Sequence, residues 1–261
     1  MGLLNTLFNF AKPKKALVYY GREIAYEKFR ECDYIILQGA YIESSRKEFL
    51  QHKKNVYAYV SVGEISREVQ EYAKLKEEWV LSQNQEWQSD VLDIRAKECQ
   101  EFLFEEVIEP LYKKGFENFF FDTLDSYKIF TNKSSEQKKF EESLIVFIKK
   151  FAQKYPKAKL IINRGFELID EIHTFVEAVL FESYYFGLGD AKEPYKKVSK
   201  QDREWLDSKL AKVKYYNLPI IALDYLDEKD FGKAEEAMQV IRKEGMIPYI
   251  SNRSLDVYGV C

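Results

Sequence analysis

Histidine is nearly absent: His52 and His173 are the only two in 261 residues. That scarcity excludes His-rich metallohydrolase sites, Ser-His-Asp triads and Cys-His pairs, so any hydrolytic chemistry must rest on carboxylates. Three cysteines, Cys32, Cys99 and Cys261, form an odd count without CxxC spacing, which argues against a disulfide framework and a structural zinc. Glycine motifs are missing as well. Gly39, Gly63 and Gly165 stand alone, with no GxGxxG or P-loop to cradle a nucleotide, so no cofactor is expected. No run of 18 apolar residues appears, so no membrane-spanning helix is expected. Charge of one sign is not in excess, with 40 Lys plus Arg against 43 Asp plus Glu, and this balance does not suggest a nucleic-acid or anionic-membrane partner. The opening MGLLNTLFNFAKPKK lacks a basic n-region and a small-residue cleavage site, so no signal peptide is expected. Gly2 and Thr6 match a short myristoylation pattern, but a frayed helix in an N-terminal extension over 1–15 is the plainer reading.

Aromatic residues are plentiful, at 16%, and 46% of the chain is hydrophobic, enough for a large core. The short apolar runs ALVYY (16–20), YIILQ (34–38), VYAYVSV (56–62), FFFD (119–122), LIIN (160–163), AVLFE (178–182), IIALD (220–224) and MIPYIS (246–251) number eight. Most are continuous rather than alternating, as expected of parallel strands covered on both faces. Helical periods lie between them. In 134–156 the residues Phe140, Leu144, Phe147, Ile148 and Phe151 share one stripe, with Ser134 and Gln137 as a capping-box signal. In 97–115 the stripe is Phe102, Val107 and Leu111, and Gly115 ends it. No Pro/Gly/Ser linker divides the chain. The pattern predicts a single-domain (β/α)8 TIM barrel over 16–261, with an open doubly wound sheet as the alternative. The long stretch between the third and fourth strands predicts an elaborated loop plus an extra helix, with Trp79 and Trp87 each either a sugar platform or a core residue.

Polar residues close these runs: Glu64 shortly after the third, Asp122 on the fourth, Asn163 and Arg164 at the fifth, Glu182 on the sixth, Asp224 on the seventh, and Ser251, Asn252 and Arg253 at the eighth. In a parallel barrel all these ends meet at one rim, where barrel chemistry sits. Glu182 directly behind Val179, Leu180 and Phe181 needs a partner or a function. Two carboxylates without histidine or cofactor suit glycoside hydrolysis, in which one acid protonates the leaving oxygen and the other attacks or activates water. The one-strand gap between Asp122 and Glu182 favours a retaining displacement. Asp122 and Asp125 could alternatively hold Mg²⁺, and a barrel that binds polysaccharide without cutting it is a further alternative. Asp224 could orient Arg164 or Arg253, and Glu64 could sit at a helix N-terminus. Of Tyr184 and Tyr185, one alone can face the cleft if the chain stays extended.

YVSVGE (59–64), VLDIR (91–95), GFENFFFDTLDSY (115–127), IINRGFELID (161–170), VLFESYY (179–185), LDYLD (223–227) and PYISNRSLD (248–256) occur in an order that resembles glycoside hydrolase family 114, the endo-α-1,4-polygalactosaminidase-like proteins. The resemblance covers nearly the whole chain from about residue 16. It implies a barrel glycosidase cutting α-1,4-linked galactosamine-rich polysaccharide, with Asp122 as nucleophile and Glu182 as general acid/base. Glu64, Asp125, Asn163, Arg164, Tyr184, Asp224 and Tyr225 would line the substrate groove. An acid-lined groove would suit a cationic, partly deacetylated sugar. The family is usually exported, whereas the opening residues read as cytoplasmic.

Overall fold

The structure is a computed structural model that describes residues 12–261. The reading of a frayed helix and the Gly2/Thr6 pattern lie outside those residues. Eight parallel strands form one sheet in chain order: β1 Ala16–Tyr19, β2 Tyr34–Leu37, β3 Val56–Ser61, β4 Asn118–Asp122, β5 Leu160–Asn163, β6 Ala178–Glu182, β7 Ile220–Tyr225 and β8 Ile247–Ser251. The sheet curls until β8 lies beside β1, and the Tyr20 N–H donates to the Leu255 carbonyl across that seam at 2.7 Å. This is a nearly closed (β/α)8 barrel in a single domain.

Alternation along each strand decides what faces the barrel lumen and what faces the helices. In β4, Phe119 and Phe121 pack outward on Phe151 and Phe147 of the helix Ser134–Lys154, while Phe120 turns inward to Tyr59. Asp122 shares the parity of Phe120 and therefore points in. The five-residue stripe of that long helix is buried as its spacing requires. Its capping box does not form. Gln137 instead donates to the Thr131 carbonyl at 2.9 Å, and Lys133 at the cap position makes no side-chain bond.

Two other expectations are corrected. The helix over 97–114 carries a π-helical segment, Leu103–Ile108, in its middle. The wider turn shifts the buried face to Phe102, Leu103, Phe104 and Ile108, leaving Val107 and Leu111 half-buried. Gly115 ends this helix at φ 111°, as its position suggests. The insertion after β3 is a three-stranded antiparallel sheet, Glu64–Ser66, Val80–Asn84 and Ser89–Leu92, rather than a loop with an extra α-helix. The connection between its first two strands carries two short 3-10 segments, Gln70–Lys74 and Glu77–Trp79. Trp79 is core, 6% exposed against Phe102.

Candidate active site

Three consecutive strands end on the polar residues Asp122, Asn163 and Glu182, all inward by parity. Each is followed by a non-glycine residue in the left-handed region: Thr123 at φ 62°, Arg164 at φ 53° and Ser183 at φ 64°. A bend of that kind costs roughly 1–3 kcal/mol and persists where surrounding contacts over-determine it. At the first bend Thr123 supplies those contacts, its Oγ1 accepting from Gly63 N at 2.8 Å and Val62 N at 3.1 Å. Gly63 must lack a side chain here, since a Cβ would stand 2.1 Å from the Thr123 carbonyl. The repeated bend turns the chain out of the barrel immediately after each polar side chain, leaving those side chains on the groove floor.

Asn163 joins the two acids. Its Nδ2 donates to Asp122 Oδ1 at 2.8 Å and to Glu182 Oε1 at 2.9 Å, so these two oxygens lie under about 6 Å apart. The amide orientation is fixed by charge, because the reverse would aim its carbonyl at both carboxylates. Its Oδ1 is buried without a protein partner among the described residues. Asp122 Oδ1 also accepts from Thr123 N at 2.7 Å, and the Tyr59 phenol faces the same carboxylate. Glu182 Oε2 accepts from the Tyr225 hydroxyl at 2.8 Å.

Burial, followed by the nearby Glu182 charge, raises the Asp122 carboxyl to about 6 against the pull of its donors. Burial also lifts the phenols of Tyr20, Tyr59 and Tyr225 well above their ordinary value. The charge of Asp122 adds to the first two and that of Glu182 to the third, so all three stay protonated, and Tyr59 and Tyr225 donate to the two acids. Two carboxylates held this close in a half-desolvated pocket, with fixed donors on both, can deliver a proton and a nucleophile to one bond.

Around the floor opens a groove of about 1350 Å³. Asp125 and Arg164 line it and face each other at 3.9 Å. Glu64 lies in the inserted sheet, not at a helix N-terminus, and is 5% exposed. It accepts from Asn84 Nδ2 at 3.0 Å and from the hydroxyls of Ser89 and Ser126, which ties the inserted sheet to the turn behind Asp122. Lys114, Lys128, Lys196 and Lys197 also line the groove, so its wall carries both signs and is not uniformly acidic.

Two expected groove residues lie elsewhere. Asp224 is 0% exposed and accepts the backbone N–H groups of Tyr184, Tyr185 and Phe186 at 2.6–2.9 Å, touching neither Arg164 nor Arg253. The reason is parity: β7 runs one residue further than IIALD, Leu223 pairs with Glu182, and Tyr225 rather than Asp224 faces in. Tyr184 lies behind the Ser183 bend, where its hydroxyl donates to Asp207 at 3.0 Å, and Tyr185 bonds Glu236. Neither tyrosine reaches the groove. Conversely, Tyr20, Tyr59 and Trp205 line the groove without having been singled out in the sequence. Tyr59 was accessible by counting, two residues before Ser61 on a strand whose end faces the floor.

The solved glycoside hydrolase domain of PelA from Pseudomonas aeruginosa is similar over 95% of this chain and 98% of that one, at 28% identity and a TM-score of 0.85. Aspergillus fumigatus Ega3, solved in complex with galactosamine, covers 95% and 94% at 12% identity and a TM-score of 0.70, a likeness of fold. No curated protein sequence matches. The model of glycoside-hydrolase family GH114 matches residues 40–261. A barrel whose floor presents two carboxylates, matched by that model over most of its length, belongs to glycoside-hydrolase family GH114 and is a glycoside hydrolase.

Proposed function

We propose that the chain is an endo-acting hydrolase of α-1,4-linked, galactosamine-rich polysaccharide that works with retention, Asp122 serving as nucleophile and Glu182 as general acid/base. The observation that carries this reading is the single Asn163 amide nitrogen bonded to both acids. It caps their separation under about 6 Å, below the roughly 6.5–9.5 Å an inverting enzyme needs to admit water between acid and base. Donor placement supports the division of labour. Asp122 receives a backbone N–H, the Asn163 amide and the Tyr59 phenol, three donors that favour its anion against the burial that raises it, while Glu182 receives the Asn163 amide and the Tyr225 hydroxyl.

In the first step Glu182 protonates the glycosidic oxygen as Asp122 attacks the anomeric carbon, releasing the leaving chain and forming an ester to Asp122. In the second, Glu182 takes a proton from water, whose oxygen displaces Asp122 and restores both acids. Arg164, Asp125 and Tyr225 contact sugar around this centre. The open groove, large enough for several sugars, supports cleavage within a chain. Galactosamine bound to Ega3 and the family's resemblance support the choice of sugar.

Mass spectrometry of products from partly deacetylated α-1,4-poly-galactosamine tests this. A ladder of internal oligomers is the expected result. Monosaccharide alone would refute endo action, and intact polymer that nonetheless binds would favour a non-catalytic barrel.

A further inference from the structure

We propose that Trp87 is the stacking platform of a distal sugar subsite, an inference that rests on the polysaccharide-hydrolase reading above. Trp87 sits at the tip of the hairpin joining Val80–Asn84 to Ser89–Leu92, whose last pair is Asn84 with Ser89. It lines the same groove as Asp122 and Glu182 yet remains 48% exposed, in contrast to Trp79 of the same insertion, which is spent on the core. The residue after it, Gln88, is in the left-handed region at φ 51°, a conformation a side-chain-bearing residue adopts at a cost.

One face of the indole is already occupied. The Arg253 guanidinium, from the loop after β8, lies 4.9 Å from the ring centroid and 3.2 Å from Glu86 Oε1. The Arg253 backbone N–H in turn donates to the Tyr195 hydroxyl at 3.2 Å, on the hairpin that follows β6. Three rim segments, after β3, β6 and β8, thus meet at Arg253, which lies against this indole. Exposed cation–π and ion-pair contacts contribute little to folding, so stability does not account for the arrangement. What it does achieve is to fix the ring plane, leaving the second face for the apolar C–H face of a pyranose.

The platform is also geared to the floor. Asn84 Oδ1 accepts from Glu86 N at 3.1 Å, closing the hairpin tip, and Asn84 Nδ2 donates to Glu64, which the Ser126 hydroxyl holds four residues beyond Asp122. A chain of four polar groups therefore sets the distance from the indole to the scissile bond. The platform belongs to a sugar beyond the cleaved pair, because the floor acids sit on β4 and β6 while Arg253 brings the ring toward the β8 side.

The test uses Glu182→Gln protein, which should bind without cutting, and α-1,4-linked galactosamine oligomers from disaccharide to octasaccharide, with affinity read by calorimetry. Affinity should rise with length, and adding Trp87→Ala should remove most of the gain, weakening the octasaccharide about tenfold while leaving the disaccharide unchanged. Arg253→Ala should give a smaller loss of the same kind, and Trp87→Phe should recover part of it. Equal weakening at every length, or none, would overturn the platform. Failure of every oligomer to bind would instead sink the functional reading on which it rests.

Discussion

Asp122→Asn and Glu182→Gln are each expected to lower hydrolysis by at least about 10²–10⁴-fold, the range that proton-transfer and positioning groups contribute. The two losses should not multiply, because the acids act as a unit through Asn163. Stability should move the other way at Asp122. Burial and the Glu182 charge raise its folded carboxyl to about 6, above the roughly 3.9 of an unfolded aspartate. The folded state therefore binds the proton more tightly, so stability falls as pH rises from about 4 to about 6, and the full penalty is present above that window. Asparagine removes the ionisation while still accepting from Thr123 N and the Asn163 amide. We expect Asp122→Asn to be about 1–2 kcal/mol more stable than the parent at pH 7.5 and no different at pH 4, read by thermal melts. An inactive variant with a raised Tm would mark a site where function is held against stability.

Asp224→Ala is expected to be the most damaging substitution for the fold among the acidic strand-end residues. Three backbone N–H groups, of Tyr184, Tyr185 and Phe186, end on this one buried carboxylate. Removing it strands them away from water, at a cost of at least about 3 kcal/mol. For a chain of this size that lowers Tm by roughly 6–12 °C. The turn released is the one directly behind Glu182, so activity should fall as well, yet the pH profile of the remaining activity should keep its shape. Asp224 itself is raised to about 6 by burial, against the three backbone donors. A melt unchanged by Asp224→Ala would show that those N–H groups find other partners.

The eight strands were legible because buried parallel strands are written as continuous apolar runs, and the run boundaries match the observed strands within one residue at each end. Side-chain direction was less legible. Asp224 and Asp122 both close apolar runs, but the register pairs Leu223 with Glu182, and that one-residue offset sends Asp224 outward. Tyr184 was misplaced for a related reason: the Ser183 bend breaks the alternation, and nothing about serine announces a left-handed conformation. The three inserted strands are short, mixed in composition and stabilised by polar ties such as Asn84 to Glu64, which leave no hydrophobic period to read. The floor acids were recoverable because charge behind a wholly apolar strand is costly, and that cost marks them whatever the surrounding loops do.

The most direct measurement is the configuration of the first-formed reducing end, followed by proton NMR during hydrolysis of an α-1,4-linked galactosamine oligomer before mutarotation scrambles it. Two carboxylates bridged by one amide nitrogen leave room for a nucleophile but not for an intervening water, so the α anomer should appear first. Initial appearance of the β anomer would mean water attacks directly, and would contradict the pairing of Asp122 with Glu182 as nucleophile and acid across a single bond.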